Sequence, residues 1–214
     1  VSIPFEAPSS IGTPINLAPE IAEAILKTIE LGWEVARKRR EVNPRARETA
    51  ITECLRDGMR VASEKLPWRR SLIVLPGTES RSASALEPDG RTDIPIMHLE
   101  IFLRHGLHDP HAIIECKRIA AEDANLVREY VKEGVDRFCT GKYGGNHSKG
   151  FMAAYVLEGT QTEAVSKIND FLTKNARVPE HLNPENPKHW SSLHPRSTRP
   201  KIQLKHAFLL TSKR

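Results

Sequence analysis

The sequence predicts one α/β domain built on a mixed sheet, and three observations carry that prediction. Apolar residues recur at helical spacing in some stretches and form short β-branched or aromatic runs in others. The two kinds of stretch follow the order helix, helix, strand, strand, strand, helix, strand, helix, strand, the alternation that builds layered α/β proteins. A length of 214 residues, 39% hydrophobic and 28% charged, suits a single domain with its own core.

Each element has a local cause. Residues 1–16 are rich in Pro and Ser and are expected to be irregular. After Pro19, the series Ile21, Ile25, Ile29, with Leu26 and Trp33, recurs at helical spacing to about Arg39, and Asn43-Pro44 breaks that helix. A second helix is expected from Arg45 to Lys65, with Ile51, Leu55, Met59 and Ala62 along one side. Ser71–Leu75 reads as a short buried strand stopped by Pro76-Gly77, and residues 79–88 as a mobile loop. Asp89-Gly90 is a turn signal leading into a strand over Thr92–Leu103, irregular or at an edge near Pro95. After a turn at His105–Pro110 comes the strand Ala112–Lys117. A long helix follows over Glu122–Thr140, with Leu126, Val127, Tyr130, Val131, Gly134 and Phe138 inward; Gly134 suggests the close approach of another backbone. Phe151–Leu157 is a strand and Thr162–Lys174 a helix, and a linker with five prolines (Pro179–Pro200) precedes the last strand, Ile202–Leu210.

No apolar run approaches the length needed to cross a bilayer. The amino terminus lacks the pattern of a secretion signal, and Cys54, Cys116 and Cys139 read as reduced core residues, so a cytoplasmic location is expected. The formal charge is +5, which is compatible with a polyanionic partner without specifying one. Residues 176–214 hold eight Lys/Arg against two acids, and a second basic cluster runs from Arg37 to Arg47.

The most informative stretch is Gly90-Arg91-Thr92-Asp93-Ile94, followed by Ala112-Ile113-Ile114-Glu115-Cys116-Lys117. Alternate side chains of a strand share a face, so Glu115 and Lys117 point one way and Ala112, Ile114 and Cys116 the other. An acid-x-lysine tripeptide alone carries little information, since a shuffled chain would hold roughly 1.6 by chance. This match stands alone in the chain, on an apolar strand, after a second strand that opens on an Asp.

In these residues the chain resembles the PD-(D/E)XK, or restriction-endonuclease-like, nuclease superfamily, with Thr92-Asp93 where that family has Pro-Asp. The resemblance covers roughly residues 45–211 and is one of pattern and element order. It implies a mixed sheet with an αβββαβ core flanked by helices, residues 45–214 forming the nuclease-like domain. Residues 1–44 would add an irregular segment and an extra N-terminal helix, the two parts making one compact unit. It also implies Mg²⁺ or Mn²⁺ held by Asp93 and Glu115, by the carbonyl of Cys116 and by a helical glutamate. Glu48 and Glu53 compete for that last role. At 100° per residue Glu48 lies about 20° from Leu55 and about 60° from Ile51, whereas Glu53 points away from both, so Glu48 is the candidate. Without a cation the converging carboxylates would repel and one would take up a proton. Lys117 would orient or help deprotonate the attacking water and stabilise the charged transition state.

Arg137, Lys142 and Tyr143 at the end of the long helix, and Arg196, Arg199, Lys201 and Lys205 near the carboxy terminus, are candidate contacts to nucleic acid. His105, His108 and His111 fit an exposed turn better than a zinc site. The expected function is hydrolysis of nucleic acid, DNA before RNA, in a bacterial restriction or antiviral defence setting. Self-association or a partner subunit would then supply target choice. The alternative is a nucleic-acid-binding or scaffolding subunit with the same fold and no turnover.

Overall fold

The computed structural model describes residues 15–77, 79–80, 90–197 and 199–211. The Pro/Ser-rich residues 1–14 and most of the expected loop, residues 81–89, lie outside the described residues.

Helices α1 (Pro19–Ala36) and α2 (Glu48–Ser63) cross with their backbones in contact. A Cβ at Gly58 would lie 2.2 Å from the carbonyl oxygen of Gly32, so only glycine permits this crossing. Next come β1 (Leu72–Val74), β2 (Glu79–Ser80), β3 (Gly90–Arg91) and β4 (Ile94–His98). β2 and β3 pair antiparallel, so Glu79 and Ser80 are strand residues rather than loop. The strand expected to reach Leu103 ends at His98 and gives way to helix α3 (Leu99–His105). Glu100 and Arg104 pair one turn apart, and Gly106, in the left-handed conformation, caps the helix end. Both helix signals outweigh an apolar run too short to show a period.

β5 (Ala112–Ala120) leads into α4 (Ala124–Tyr130), a π-helical turn (Val131–Val135) and α5 (Asp136–Cys139), one continuous helix. Asp123 caps its start by accepting from the amides of Asn125 and Leu126. β6 (Lys149–Glu158) and α6 (Gln161–Lys174) follow, α6 opened by a reciprocal Thr160–Glu163 capping box. The segment expected as a linker is folded: a 3₁₀ turn (Val178–Glu180), β7 (Asn183–Asn186) and β8 (His189–His194) precede β9 (Ile202–Leu210). Pro184 is tolerated because β7 is an edge strand. Trp190, Ser192 and His194 alternate inward on β8.

The seven-stranded mixed sheet runs β1-β4-β5-β6-β9-β8-β7, with β5, β6 and β9 parallel at its centre. α1 and α2 cover one face, where Ile25, Ile29, Trp33, Ile51 and Leu55 pack on Ile114, Cys116, Ala153 and Tyr155. The α4–α5 helix and α6 cover the other, packing Tyr130, Val135, Phe138 and Ile168 on Met152, Ala154 and Phe208. Helix α1 therefore belongs to the same core as the rest. Among the described residues no helix is long and apolar enough to cross a membrane.

β4 stays paired with β5 only from Ile94–Ile96 to Ala112–Ile114. Beyond Ile114, the β5 edge that faced β4 has no strand partner among the described residues, and its amides must be satisfied otherwise.

Candidate active site

Side chains supply what β4 withdraws. Asp93 Oδ2 accepts from the Cys116 amide (2.7 Å), and Glu48 Oε2 accepts from the Arg118 amide (3.0 Å). The two acids therefore stand where a strand would be, one at the entry to β4 and one in the first turn of α2. Glu53 is exposed and pairs with Arg56, as the helical phase requires. Arg56, which sequence reasoning missed, is buried and also donates to the Asp93 carbonyl (2.8 Å), fixing the backbone that carries this carboxylate. Its three-residue spacing from Glu53 was the available signal.

Glu115 and Lys117 share one side of β5, opposite Cys116 and Ile114, as alternation dictates. Glu115 is fully buried and Lys117 nearly so. Lys117 Nζ lies 2.9 Å from Glu48 Oε1, 3.0 Å from Glu115 Oε1 and 3.1 Å from the Cys116 carbonyl. Arg137 Nη1 reaches the same Glu115 Oε1 (2.9 Å) and also the Tyr143 hydroxyl (3.0 Å), which donates to the Arg91 carbonyl (2.9 Å).

The π turn delivers Arg137. It adds one residue to a helical turn, rotating everything after it by about 100° relative to a continuous α-helix. Gly134 lies in this turn because a Cβ there would meet Met152 Cε at 2.7 Å and Lys117 Cγ at 3.3 Å. The close neighbours are thus side chains, not the expected second backbone.

Glu115 Oε2 is buried without a hydrogen-bond partner among the described residues. Burial, then the neighbouring Asp93 carboxylate, pushes the Glu115 pKa up to about 8. Burial also raises Asp93, against the Cys116 amide and Lys117, which pull it down. Both carboxyls are thus pushed toward their protonated forms. Burial opposes the charge of Lys117, but Glu115 and Glu48 outweigh it and raise its pKa, so this lysine is firmly protonated. The donor set fits a hard divalent ion: Asp93, the orphaned Glu115 Oε2 and the Cys116 carbonyl are all oxygens.

The remaining candidates separate. Lys142 lies on the loop that carries Tyr143 and has no ion pair among the described residues. Arg196 donates to the carbonyls of Phe138, Gly144, Gly145 and His147 and so holds the glycine loop together rather than facing a ligand. Arg199 lies exposed over that loop, donating to Asn146, and Lys201 is exposed at the start of β9. Lys205 pairs with Glu185 and lines a groove of about 970 Å³ with Lys149, Glu20 and Trp68 on the α1 side, away from Glu115. Of the three histidines, His105 and His108 are exposed, but His111 is buried, accepting from the His98 amide and bonding the Leu107 carbonyl.

A second polar cluster lies across the same helix. Arg177 holds both oxygens of Glu180 and also Asp136. His194 Nδ1 meets Glu180 Oε2; Ser192 Oγ lies 2.6 Å from His194 Nε2 and 2.7 Å from His206 Nε2; His206 Nδ1 lies 2.7 Å from the Tyr130 hydroxyl. Cys139, Glu180 and His194 are close enough to share a metal ion, but Arg177 and His194 already saturate the carboxylate.

No family model, curated protein or solved structure matches this chain.

Proposed function

We propose that this chain is a divalent-metal-dependent phosphodiesterase acting on nucleic acid, with a restriction-endonuclease-like arrangement of its sheet. The observation that carries this reading is the convergence of Asp93, Glu115 and the Cys116 carbonyl around an unpartnered buried oxygen, with Lys117 beside them. Mg²⁺ or Mn²⁺ bound there would polarise the phosphoryl oxygen and lower the pKa of a bound water.

The protein residues do the rest. Asp93 and Glu115 present oxygens, and Arg56 and the Cys116 amide fix the Asp93 side of the site. Lys117, held protonated, is placed to orient the attacking water and to stabilise charge on the phosphoryl group.

For the substrate backbone, Arg45 and Arg47 are exposed at the entry to α2, and Arg118 donates to the Ala46 carbonyl between them (3.5 Å). None of the three pairs with an acid among the described residues, whereas Arg37, Arg39 and Arg40 each do. Together with Lys142, Arg199 and Lys201 they form the proposed phosphate contacts, replacing Arg196 and Lys205 and also Arg137 and Tyr143, the first engaged with Glu115 and the second buried. The motif resemblance favours DNA over RNA, a cytoplasmic defence setting, and self-association or a partner subunit for target choice.

The test is hydrolysis of labelled single- and double-stranded DNA and RNA with Mg²⁺, with Mn²⁺ and with chelator. Metal-dependent cleavage that Lys117→Ala lowers on the order of 10² or more supports the reading. Binding of nucleic acid without metal-dependent cleavage of any substrate would make the chain a binding subunit.

A further inference from the structure

Glu48 looks at first like the second-ion ligand that its place on α2 suggests. Both of its oxygens are already engaged: Oε1 takes Lys117 Nζ at 2.9 Å and Oε2 takes the Arg118 amide at 3.0 Å. The Arg118 bond is not incidental, because β4 leaves β5 after Ile114 and that amide has no strand to pair with among the described residues. Turning Glu48 toward an ion would strand the backbone donor and also release the ammonium it holds.

Charge points the same way. With both acids ionised, as ligation of an ion requires, Asp93, Glu115 and Glu48 carry three negative charges; Lys117 and Arg137, both within 3.0 Å of Glu115 Oε1, carry two positive ones. The balance is one negative charge. One divalent ion leaves a single positive charge in this largely buried cluster, and two ions would leave three, against which the neighbouring Glu133, 3.6 Å from Arg137 Nη2, is exposed and offsets little. The oxygens that could turn to an ion are few: Glu115 Oε2, the Asp93 oxygen that does not take the Cys116 amide, and the Cys116 carbonyl, whose hydrogen bond is to Lys117 Nζ. Mg²⁺ and Mn²⁺ keep several waters, so such a set suffices for one ion.

We infer that the site takes one divalent ion per chain, and that Glu48 is a positioning residue for Lys117 rather than a ligand. This rests on the metal-dependent reading above. The experiment is titration calorimetry of the metal-stripped full chain with Mn²⁺, with bound ion counted by electron paramagnetic resonance. The wild type should bind one ion. Asp93→Asn and Glu115→Gln should lose it. Glu48→Gln should keep the stoichiometry and change the affinity by less than about tenfold, the low end for a supporting residue. In the same variant the turnover number should fall on the order of 10-fold or more with KM unchanged, the signature of a misplaced ammonium. Two ions in the wild type, one of them lost in Glu48→Gln, would overturn the inference and leave the phosphodiesterase reading standing. No Mn²⁺ binding at all would overturn both.

Discussion

Asp136 and Arg137 are neighbours in sequence, yet they serve two buried polar clusters that differ in one respect. On the Asp136 side the hydrogen bonds close. Tyr130 donates to His206, His206 to Ser192, Ser192 to His194 and His194 to Glu180, if each ring carries one proton, a direction assigned from consistency of the chain. Burial forces His206 well below its usual pKa, which keeps that ring neutral as the chain requires. Arg177 and Lys132 then neutralise Glu180 and Asp136. On the Arg137 side a carboxylate oxygen is left over, two acids contend for a proton, and the backbone edge is held by side chains. Ser192, His194 and Glu180 have the order of a hydrolytic triad, but Ser192 is 3% exposed and already accepts from His206. Residue types do not separate a structural cluster from a reactive one; unsatisfied valence does.

The largest expected break in this contrast is chemical. Asp93→Asn or Glu115→Gln should abolish Mn²⁺ binding and lower cleavage by a factor on the order of 10² or more, while Ser192→Ala should leave both unchanged. A cleavage assay on the three purified variants reads this directly.

Stability should show the reverse. Glu180→Gln leaves Arg177 and His194 facing a neutral partner and should cost about 3 kcal/mol, the low end for breaking a buried ion pair, because Arg177 keeps Asp136. Thermal unfolding should fall by roughly 6–12 °C, with the affinity for Mn²⁺ unaltered. Tyr130→Phe removes one neutral hydrogen bond and should cost only about 1 kcal/mol.

The two clusters should also respond to pH with opposite sign. Burial alone would raise Glu180, but hydrogen bonds from His194 and Arg177 outweigh it and hold the carboxyl at about 2. Its contribution is present above the ordinary glutamate range and is lost as pH falls toward 2. Glu115 is raised to about 8, so in metal-free protein the stability it contributes is full below the ordinary range and is lost as pH rises through 8. Denaturant midpoints from pH 2 to 9, with and without Mn²⁺, test both. Mn²⁺ should remove the alkaline loss and leave the acid one.

The smallest effect concerns the rim. Replacing Arg45, Arg47 and Arg118 by Ala should flatten the dependence of nucleic-acid binding on log[salt] by about 0.7 to 0.9 per lost contact. Arg196→Ala should act through stability instead, since its guanidinium meets four carbonyls. An unchanged slope in the triple variant moves the phosphate path to Lys142, Arg199 and Lys201.

The sequence by itself determined the element types wherever a period was long enough to read: α1, α2, α6, β6 and β9, and the alternation that puts Glu115 and Lys117 on one side of β5. It also held signals that went unread. Glu100, Arg104 and Gly106 mark α3, whereas the four-residue steps Tyr130–Gly134–Phe138 and Val127–Val131–Val135 fit an ordinary α-helix and gave no sign of the π turn. The prolines of residues 179–200 hid β7 and β8, whose pairing is set by β9. Only the tertiary structure decided where β4 parts from β5, and so that Asp93 and Glu48 become backbone acceptors and Glu115 Oε2 is left alone. It alone joined Tyr130, Glu180, Ser192, His194 and His206 into a closed chain. The reason is physical. Periodicity reports which side of its own element a residue faces, whereas a hydrogen bond needs two groups within about 3 Å, and for residues tens of positions apart that distance is fixed by packing and not by spacing.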